Sequence, residues 1–302
     1  MNLERLRALR SVIDEESFEG AAYELGVSPS AISQRIKALE GSVGQVLVRR
    51  GTPCTPTSAG EVLLTMARQV EWLEAEALAS LTGAQHPAQR VATPLAVNAD
   101  SLATWFREVF PIAAEWNDLT LELTIADESV STELLRRGEV LGAVTSTPTP
   151  VHGCTVTRLG LMRFLPVASP AFLERHPLTD GRGWAEAPVL RFNADDAIQL
   201  RFLARRGIDL PTPTHQVPSS EGFFDAVTRG LGWGLVPEPQ LRAAQGHEFV
   251  VLNDDFEDVP LYWQRWSLRS ERLDRITEAL VATAAAHLRP LDDPSEASRD
   301  RG

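Results

Sequence analysis

The amino-acid sequence predicts an α/β fold preceded by a small helical region, and three observations support this prediction. Strand-like and helix-like segments alternate from residue 91 to residue 288, which is typical of α/β domains with largely parallel sheets. The first 57 residues instead contain short segments with helical spacing of apolar side chains. Between the two regions, residues 61–81 contain neither proline nor glycine and predict one long helix.

Composition restricts the class of protein. The 302 residues carry a net charge of -12 and are 43% hydrophobic, which suits two or three globular domains. The two cysteines, Cys54 and Cys154, cannot build a disulfide framework or a zinc cluster. The sequence shows no apolar stretch of about 18 residues and no secretory signal. We therefore expect a cytoplasmic protein without membrane association, and we identify no cofactor, metal or catalytic residue.

Three helices are predicted at the N-terminus. The first follows from apolar side chains at helical spacing. Ser17 is expected to cap the second helix, residues 18–25. Ser28 and Pro29 begin the third as the N-cap and first helical residue; this helix is expected to run to about residue 39 or 40, and Gly41 and Gly44 are expected to break it. The second and third helices thus have the proportions of a helix-turn-helix.

The third helix carries the candidate DNA-binding residues. In a helix-turn-helix the second helix of the unit lies in the DNA major groove, where Gln can pair with adenine and Arg with guanine. Between residues 25 and 60, four cations accompany a single acid, Glu40, although the whole chain is acidic. The alternative is a solvated polar face on an ordinary three-helix domain. The candidates are Ser28, Ser30, Ser33, Gln34, Arg35, Lys37, Arg49 and Arg50.

The next segments are a short strand, residues 46–48, a loop, residues 53–56, and the long helix. Ser58 and Glu61 fit a capping box at its beginning. Its apolar residues recur at alternating spacings of three and four, which is typical of a dimerisation seam. The alternative is a helix packed on its own domain. The seam residues are Leu63, Met66, Val70, Leu73 and Ala77.

The remainder is predicted as a hinge, an effector domain and a disordered tail. The hinge is residues 83–90, the effector domain 91–289 and the tail 290–302. We expect one lobe at about 91–161 with 268–289, and a second lobe at about 162–267. Strands are predicted near 91–97, 119–125, 139–145, 162–168, 188–192, 213–217 and 248–252. Helices are predicted near 101–116, 129–137, 195–206, 220–229, 237–244 and 271–288.

Polar residues gather where predicted strands meet helix N-termini. In two-lobed α/β domains such junctions border the ligand crevice. Serines and backbone N–H groups there can receive a carboxylate, and the acids can pair with ammonium groups, as a basic amino acid requires. The alternative is that these acids only cap helices. The candidate effector-binding residues are Asn98, Asp100, Ser101, Asp127, Glu128, Thr145, Ser219, Ser220 and Glu221.

The N-terminal segment SFEGAAYELGVSPSAISQRIKALEGSVGQVLVRR, followed by TPTSAG, resembles the winged helix-turn-helix of LysR-type transcriptional regulators. The segments VNADSLATWF, LLRRGEVLGAVT, EGFFDAVTRGLGWGLVPE and YWQRW resemble the branch of that family that responds to basic amino acids. Two departures affect the wing: Val48 replaces the usual Phe, and Pro53 replaces a second wing arginine.

The resemblance implies an architecture and a function. It implies a winged helix-turn-helix at 1–57, a linker and dimerisation helix at 58–82, and a periplasmic-binding-protein-like effector domain with two lobes. It further implies a homodimer that assembles to a homotetramer on a double-stranded operator. We expect an activator of a basic amino acid exporter gene that acts on RNA polymerase and responds to L-lysine, L-arginine or L-histidine.

Two alternatives stay open at this point. One is a LysR-type regulator that senses another small metabolite, such as an organic acid. The other is a small-molecule-binding protein without a regulatory role. We expect no enzymatic activity, because the sequence shows no nucleophile-base-acid arrangement.

Overall fold

The computed structural model describes residues 2–82, 90–178, 183–211 and 213–291. The predicted hinge, apart from residue 90, lies outside the described residues, and so does the predicted tail from residue 292. The described chain has a helical N-terminal unit, one long helix and an α/β region.

Three helices form the N-terminal unit: α1 (Leu3–Asp14), α2 (Phe18–Glu24) and α3 (Pro29–Val43). The side chain of Ser17 caps α2 and that of Ser28 caps α3, as predicted. The prediction that α3 ends at about residue 40, before Gly41, is wrong. A glycine inside a helix costs only about 1 kcal/mol, and the helix ends instead at Gly44, whose φ of 71° lies in the left-handed region.

A two-stranded wing follows α3. Strand β1 (Val48–Arg49) pairs antiparallel with β2 (Thr55–Pro56). The predicted strand is therefore displaced toward Arg49, and the segment predicted as a loop contains the second strand. The pairing joins residues eight and six positions apart, and short strands of this kind carry little periodicity of their own.

The long helix α4 spans Ser58–Thr82, with 25 residues. The predicted capping box is wrong by one residue. Thr57 is the cap: its Oγ1 accepts a hydrogen bond from the N–H of Gly60 at 3.0 Å and donates to the carbonyl of Val46 at 2.7 Å. The cap thus fixes the beginning of α4 to the wing.

The described chain itself covers part of the predicted seam on α4. Leu63 packs against the core of the N-terminal unit, and Leu73 packs against the core of the α/β region. Met66 and Val70 are half-buried, and Ala77 is exposed. Large apolar side chains are instead exposed at Val62, Leu78 and Leu81.

The α/β region contains nine strands and eight α-helices among the described residues. The strands are β3 (Val91–Val97), β4 (Leu119–Ile125), β5 (Gly142–Thr145), β6 (Cys154–Ala168), β7 (Val189–Arg191), β8 (Thr214–Gln216), β9 (Gly234–Pro237), β10 (Val250–Val251) and β11 (Glu257–Trp266). The helices are α5 (Ala99–Ala103), α6 (Val109–Ala114), α7 (Glu128–Arg136), α8 (Pro170–Arg175), α9 (Ile198–Ala204), α10 (Ser220–Thr228), α11 (Glu238–Ala243) and α12 (Glu271–His287).

The large sheet is mixed, so the prediction of largely parallel sheets is wrong. Its order is β10-β6-β11-β5-β3-β4, with β9 also paired to β6. Only β3–β4 and β3–β5 are parallel in this sheet, whereas every described pair that contains β6 or β11 is antiparallel. A separate parallel pair joins β7 and β8.

Several elements differ from the predicted pattern. The single helix predicted at 101–116 is divided into α5, a 3₁₀ turn (Trp105–Glu108) and α6. Pro111 supplies a physical reason, since proline is tolerated in the first turn of a helix and disrupts its interior. Strands β9 and β11 and helix α8 had no counterpart among the predicted elements.

A candidate DNA interface and a candidate effector cavity

The exposed side of α3 presents Ser30, Gln34 and Lys37, and Ser33 beside them is half-buried. The opposite side holds Ile32, Ile36 and Leu39 in the core. Three of the predicted DNA-binding residues therefore point to solvent on one helix, where a hydrogen-bonding amide and a cation can reach base edges or phosphates.

Ser28 and Arg35 are engaged within the N-terminal unit. The Oγ of Ser28 accepts from the N–H of Ala31 at 3.2 Å and lies 2.9 Å from the Oγ of Ser30. Arg35 is half-buried and pairs with Glu4 of α1 at 3.3 Å. Ser28 thus has a structural role as a cap, and Arg35 is directed toward α1.

The wing carries two exposed cations, and one of them lies against α2. Arg49 and Arg50 are exposed, and the guanidinium of Arg50 lies 4.9 Å from the centre of the Phe18 ring. Sequence reasoning missed Tyr23 on α2, whose surface is 92% exposed. The first helix of a helix-turn-helix crosses the DNA backbone, so this phenol is placed where a phosphate contact is feasible.

A cavity of about 1230 Å³ lies between the N-terminal ends of several helices and the first half of α4. Of the predicted effector residues, Asn98, Asp100, Asp127 and Ser220 line it. Thr145 lines a smaller cavity of about 170 Å³, and the two cavities share Asn98, Asp100 and Asp127. The strand-to-helix junctions therefore converge, as the sequence predicts.

Asp100 is joined to Ser220, which is distant in sequence. The Oγ of Ser220 donates to Oδ1 of Asp100 at 2.8 Å. Burial raises the pKa of Asp100 to about 6; the Ser220 hydrogen bond opposes this shift and nearby Asp196 adds to it. Asp127 caps α7 by accepting from the N–H of Val130 at 3.2 Å while it lines the cavity.

Four predicted residues are not among the described lining of either cavity. Ser101 is fully buried in α5, and its N–H is bonded to the side chain of Asn98. Ser219 caps α10 through Gly222, because the helix begins one residue after it. The side chain of Glu221 is 67% exposed and pairs with Arg107. The side chain of Glu128 lies outside the described residues.

Sequence reasoning missed the cavity wall at residues 192–199. There, the carboxylate of Asp196 accepts from the N–H groups of Phe192 at 2.8 Å and Ile198 at 3.0 Å. Asp195 and Gln199 also line the cavity. The acid pair between β7 and α9 is the same kind of strand-to-helix junction as those predicted, so a readable signal was present.

Gln264 on β11 holds a further part of the wall. It is fully buried, its Nε2 donates to the carbonyls of Thr147 at 3.2 Å and Thr149 at 3.0 Å, and its Oε1 accepts from the N–H of Val151 at 3.0 Å. These three residues line the large cavity. One buried amide therefore fixes the loop before β6.

The described lining of the large cavity is acidic. It contains four carboxylates and one guanidinium, that of Arg136, together with His152. The carboxylates are those of Asp100, Asp127, Asp195 and Asp196. A cavity with this balance favours a ligand whose cationic groups outnumber its anionic groups.

Comparison with known proteins agrees with this architecture. Residues 3–61 match the family model of the bacterial regulatory helix-turn-helix protein, lysR family, and residues 81–289 match that of the LysR substrate binding domain. The chain is 47% identical over 297 residues to the lysine export transcriptional regulatory protein LysG of Corynebacterium glutamicum, covering 96% of this chain and 100% of that protein.

Two solved structures are similar to the chain over nearly its whole length. ArgP from Mycobacterium tuberculosis is 45% identical, with a TM-score of 0.85, covering 95% of this chain and 98% of that one. Full-length LysG from Corynebacterium glutamicum with bound effector Arg is 47% identical, with a TM-score of 0.79, covering 96% and 100%.

The described helices include none that is long and apolar enough to cross a membrane. The helix-turn-helix and the α/β domain were both expected from the resemblance, and the family matches confirm them. The chain belongs to the LysR family of bacterial transcriptional regulators, a family of DNA-binding proteins and not of enzymes.

Proposed function

We propose that the chain activates a gene for a basic amino acid exporter in response to L-lysine, L-arginine or L-histidine bound in the large cavity. The observation that carries this proposal is the four-to-one excess of carboxylates over guanidinium groups in the described cavity lining. The similarity to LysG, whose structure was solved with bound effector Arg, supports the same ligand class.

The ligand is oriented by opposite charges in this proposal. Its cationic groups pair with Asp100 and Asp127, and its carboxylate pairs with Arg136, the guanidinium among the described lining residues. Charge-assisted hydrogen bonds of this kind are stronger than neutral ones. Thr145 contributes through the smaller cavity, which adjoins the same two carboxylates.

The operator is read by α3 in this proposal. Ser30, Gln34 and Lys37 are exposed on that helix, with Ser33 at its border. Arg49 and Arg50 on the wing contact the backbone phosphates. Arg35 joins them only if its ion pair with Glu4 opens.

The assembly is a homodimer through α4 that pairs into a homotetramer and acts on RNA polymerase in the cytoplasm. Exposed Val62, Leu78 and Leu81 supply the apolar surface for the dimer, with Met66, Val70 and Ala77 beside them. The effector can control transcription only by binding two arrangements of this assembly with different affinities.

Isothermal titration calorimetry with L-lysine, L-arginine, L-histidine and L-leucine tests the ligand. We expect saturable binding of a basic amino acid and none of L-leucine. Binding of no basic amino acid would contradict the proposed effector and leave the family assignment intact. A gel shift with the DNA upstream of basic amino acid exporter genes tests the regulatory role, and failure to bind any such DNA would favour a binding protein without that role.

A second candidate is a LysR-type regulator of a larger cationic metabolite. The cavity volume of about 1230 Å³ favours it, since ligand sites for small molecules are commonly 300–1,000 Å³. A thermal-shift survey of polyamines and basic dipeptides distinguishes it, because these ligands would stabilise the protein more than free amino acids do.

A further inference from the structure

Gln199 on α9 is an unsatisfied polar residue in the cavity wall. Gln199 is one of the residues that line the large cavity, and it is only 2% exposed. Within the part of the chain that the structure describes, its Oε1 has no hydrogen-bond partner. Buried polar atoms are nearly always hydrogen-bonded in native proteins, so this acceptor requires an explanation.

The surroundings of Gln199 indicate which kind of group would satisfy it. Ile198, its neighbour in sequence, adjoins the smaller cavity together with Asp100 and Asp127. Asp196, three residues earlier, lines the large cavity. An incoming carboxylate would be repelled by these acids, whereas an ammonium or guanidinium group would meet acceptors from several directions.

We propose that Gln199 is a specificity-determining residue whose side-chain carbonyl accepts a hydrogen bond from a cationic N–H group of the bound basic amino acid. This inference rests on the proposed function and assigns the cationic end of the effector to the α9 side of the cavity. Gln199 would select ligands whose cationic N–H group lies at the right distance and in the right direction. A neutral acceptor adds this geometric requirement to the less directional attraction of the carboxylates.

Leaving the acceptor buried and unpaired also has a cost for the unliganded protein. Removing an unsatisfied polar atom and replacing it by an apolar group of similar shape can be neutral or stabilising. Methionine has the same unbranched length as glutamine. Gln199→Met should therefore weaken effector binding without lowering the thermal stability of the unliganded protein.

The test is calorimetric titration of full-length wild type, Gln199→Met and Gln199→Glu with L-lysine and L-arginine, alongside thermal unfolding without ligand. A hydrogen bond to a charged group corresponds to a roughly tenfold to hundredfold change in affinity, so we expect a loss of that size in Gln199→Met. Gln199→Glu retains the acceptor and should recover most of the binding. Gln216→Met, at an exposed position of β8, is the matched control and should bind as wild type does.

The outcomes separate the inference from the proposed function. Wild-type affinity in Gln199→Met, or an equal loss of affinity in Gln199→Glu, would overturn the inference while the effector assignment stands. A fall in both melting temperature and affinity in Gln199→Met would assign Gln199 a structural role and overturn it too. If wild type itself binds neither amino acid, the proposed effector and the inference both fail.

Discussion

The hydroxyl of Ser220 donates to the carboxylate of Asp100 at 2.8 Å and connects two elements 120 residues apart. Asp100 follows β3, whereas Ser220 begins α10. The contact places an acid with a raised pKa inside the cavity. Its protonation state should therefore influence both effector binding and stability.

Effector affinity should rise with pH around the pKa of Asp100. Burial raises this pKa to about 6, and a cationic ligand favours the ionised form. If binding requires that form, affinity for L-arginine should increase about tenfold from pH 5 to pH 7. Calorimetry across this range measures the effect. Asp100→Asn should remove the pH dependence, and Asp195→Asn should retain it; an unchanged profile in Asp100→Asn would contradict the assignment.

The stability of the unliganded protein should fall as pH rises through the same range, whereas effector affinity rises. Because the pKa of Asp100 is raised on folding, its protonated form favours the folded state below about pH 3.8, and this contribution disappears as pH rises through about 6. Relative to wild type, Asp100→Asn should therefore gain melting temperature at pH 7 that it does not gain at pH 4. Thermal unfolding at the two pH values measures this difference.

Asp127→Asn should separate ligand binding from helix capping. Asparagine is as good an N-cap as aspartate, so α7 should keep its cap and the melting temperature should remain close to that of wild type. The lost charge should weaken L-lysine binding by about tenfold. Titration and thermal unfolding of the same sample measure both effects. Wild-type affinity would show that Asp127 is a cap and not a ligand contact.

Lys37→Ala should weaken operator binding. Lys37 is exposed on α3. Loss of one phosphate contact should make the plot of log binding constant against log salt concentration shallower by a slope of about one. Gel shifts at several salt concentrations give this slope. Arg229→Ala, which removes an exposed cation at the end of α10, serves as the control. Arg35→Ala should have a smaller effect, because Arg35 pairs with Glu4.

Leu81→Asp should dissociate the dimer without unfolding the protomer. Leu81 is 83% exposed at the end of α4, so a charge there disturbs only a contact made outside this chain. Leu73→Asp should instead lower the melting temperature, because Leu73 packs against the core of the α/β region. Light scattering coupled to size exclusion measures the mass. A native mass for Leu81→Asp would place the dimer contact elsewhere.

Gln264→Leu should loosen the cavity wall. The substitution leaves two backbone carbonyls and the N–H of Val151 without their partner, at about 1–3 kcal/mol for each buried group. We expect a lower free energy of unfolding and weaker effector binding, measured by urea denaturation and calorimetry. Gln245→Leu, at an exposed position, is the control.

Local signals explain which parts of the fold were predictable. Ser17 and Ser28 cap their helices as expected, because capping depends on residues within one turn. The mixed sheet was not predictable in the same way, since the antiparallel pairing of β6 with β11 joins residues about a hundred positions apart. Strand periodicity does not state the direction of the partner strand.

The candidate site was also predictable only where the signal is local in sequence. Asp100, Asp127 and Ser220 were identifiable because strand-to-helix junctions meet at one edge of an α/β sheet. Glu221 was not distinguishable from them by sequence, although it turns outward to Arg107. Gln199 lies inside a helix and has no local signature; its significance depends on burial and on a missing partner.

The position of α4 limits which substitutions can change the ligand specificity of this protein. Met66 and Gln69 line the large cavity, while Leu63, within one turn of Met66, packs against the core of the N-terminal unit. A substitution at 66 or 69 that admits a new metabolite would also alter the packing of the N-terminal unit, which carries the predicted DNA-binding helix α3. A biosensor with a new specificity should therefore be engineered from α9 and β11. Substitutions there can change the fit of the ligand without changing the packing of α4 against the N-terminal unit.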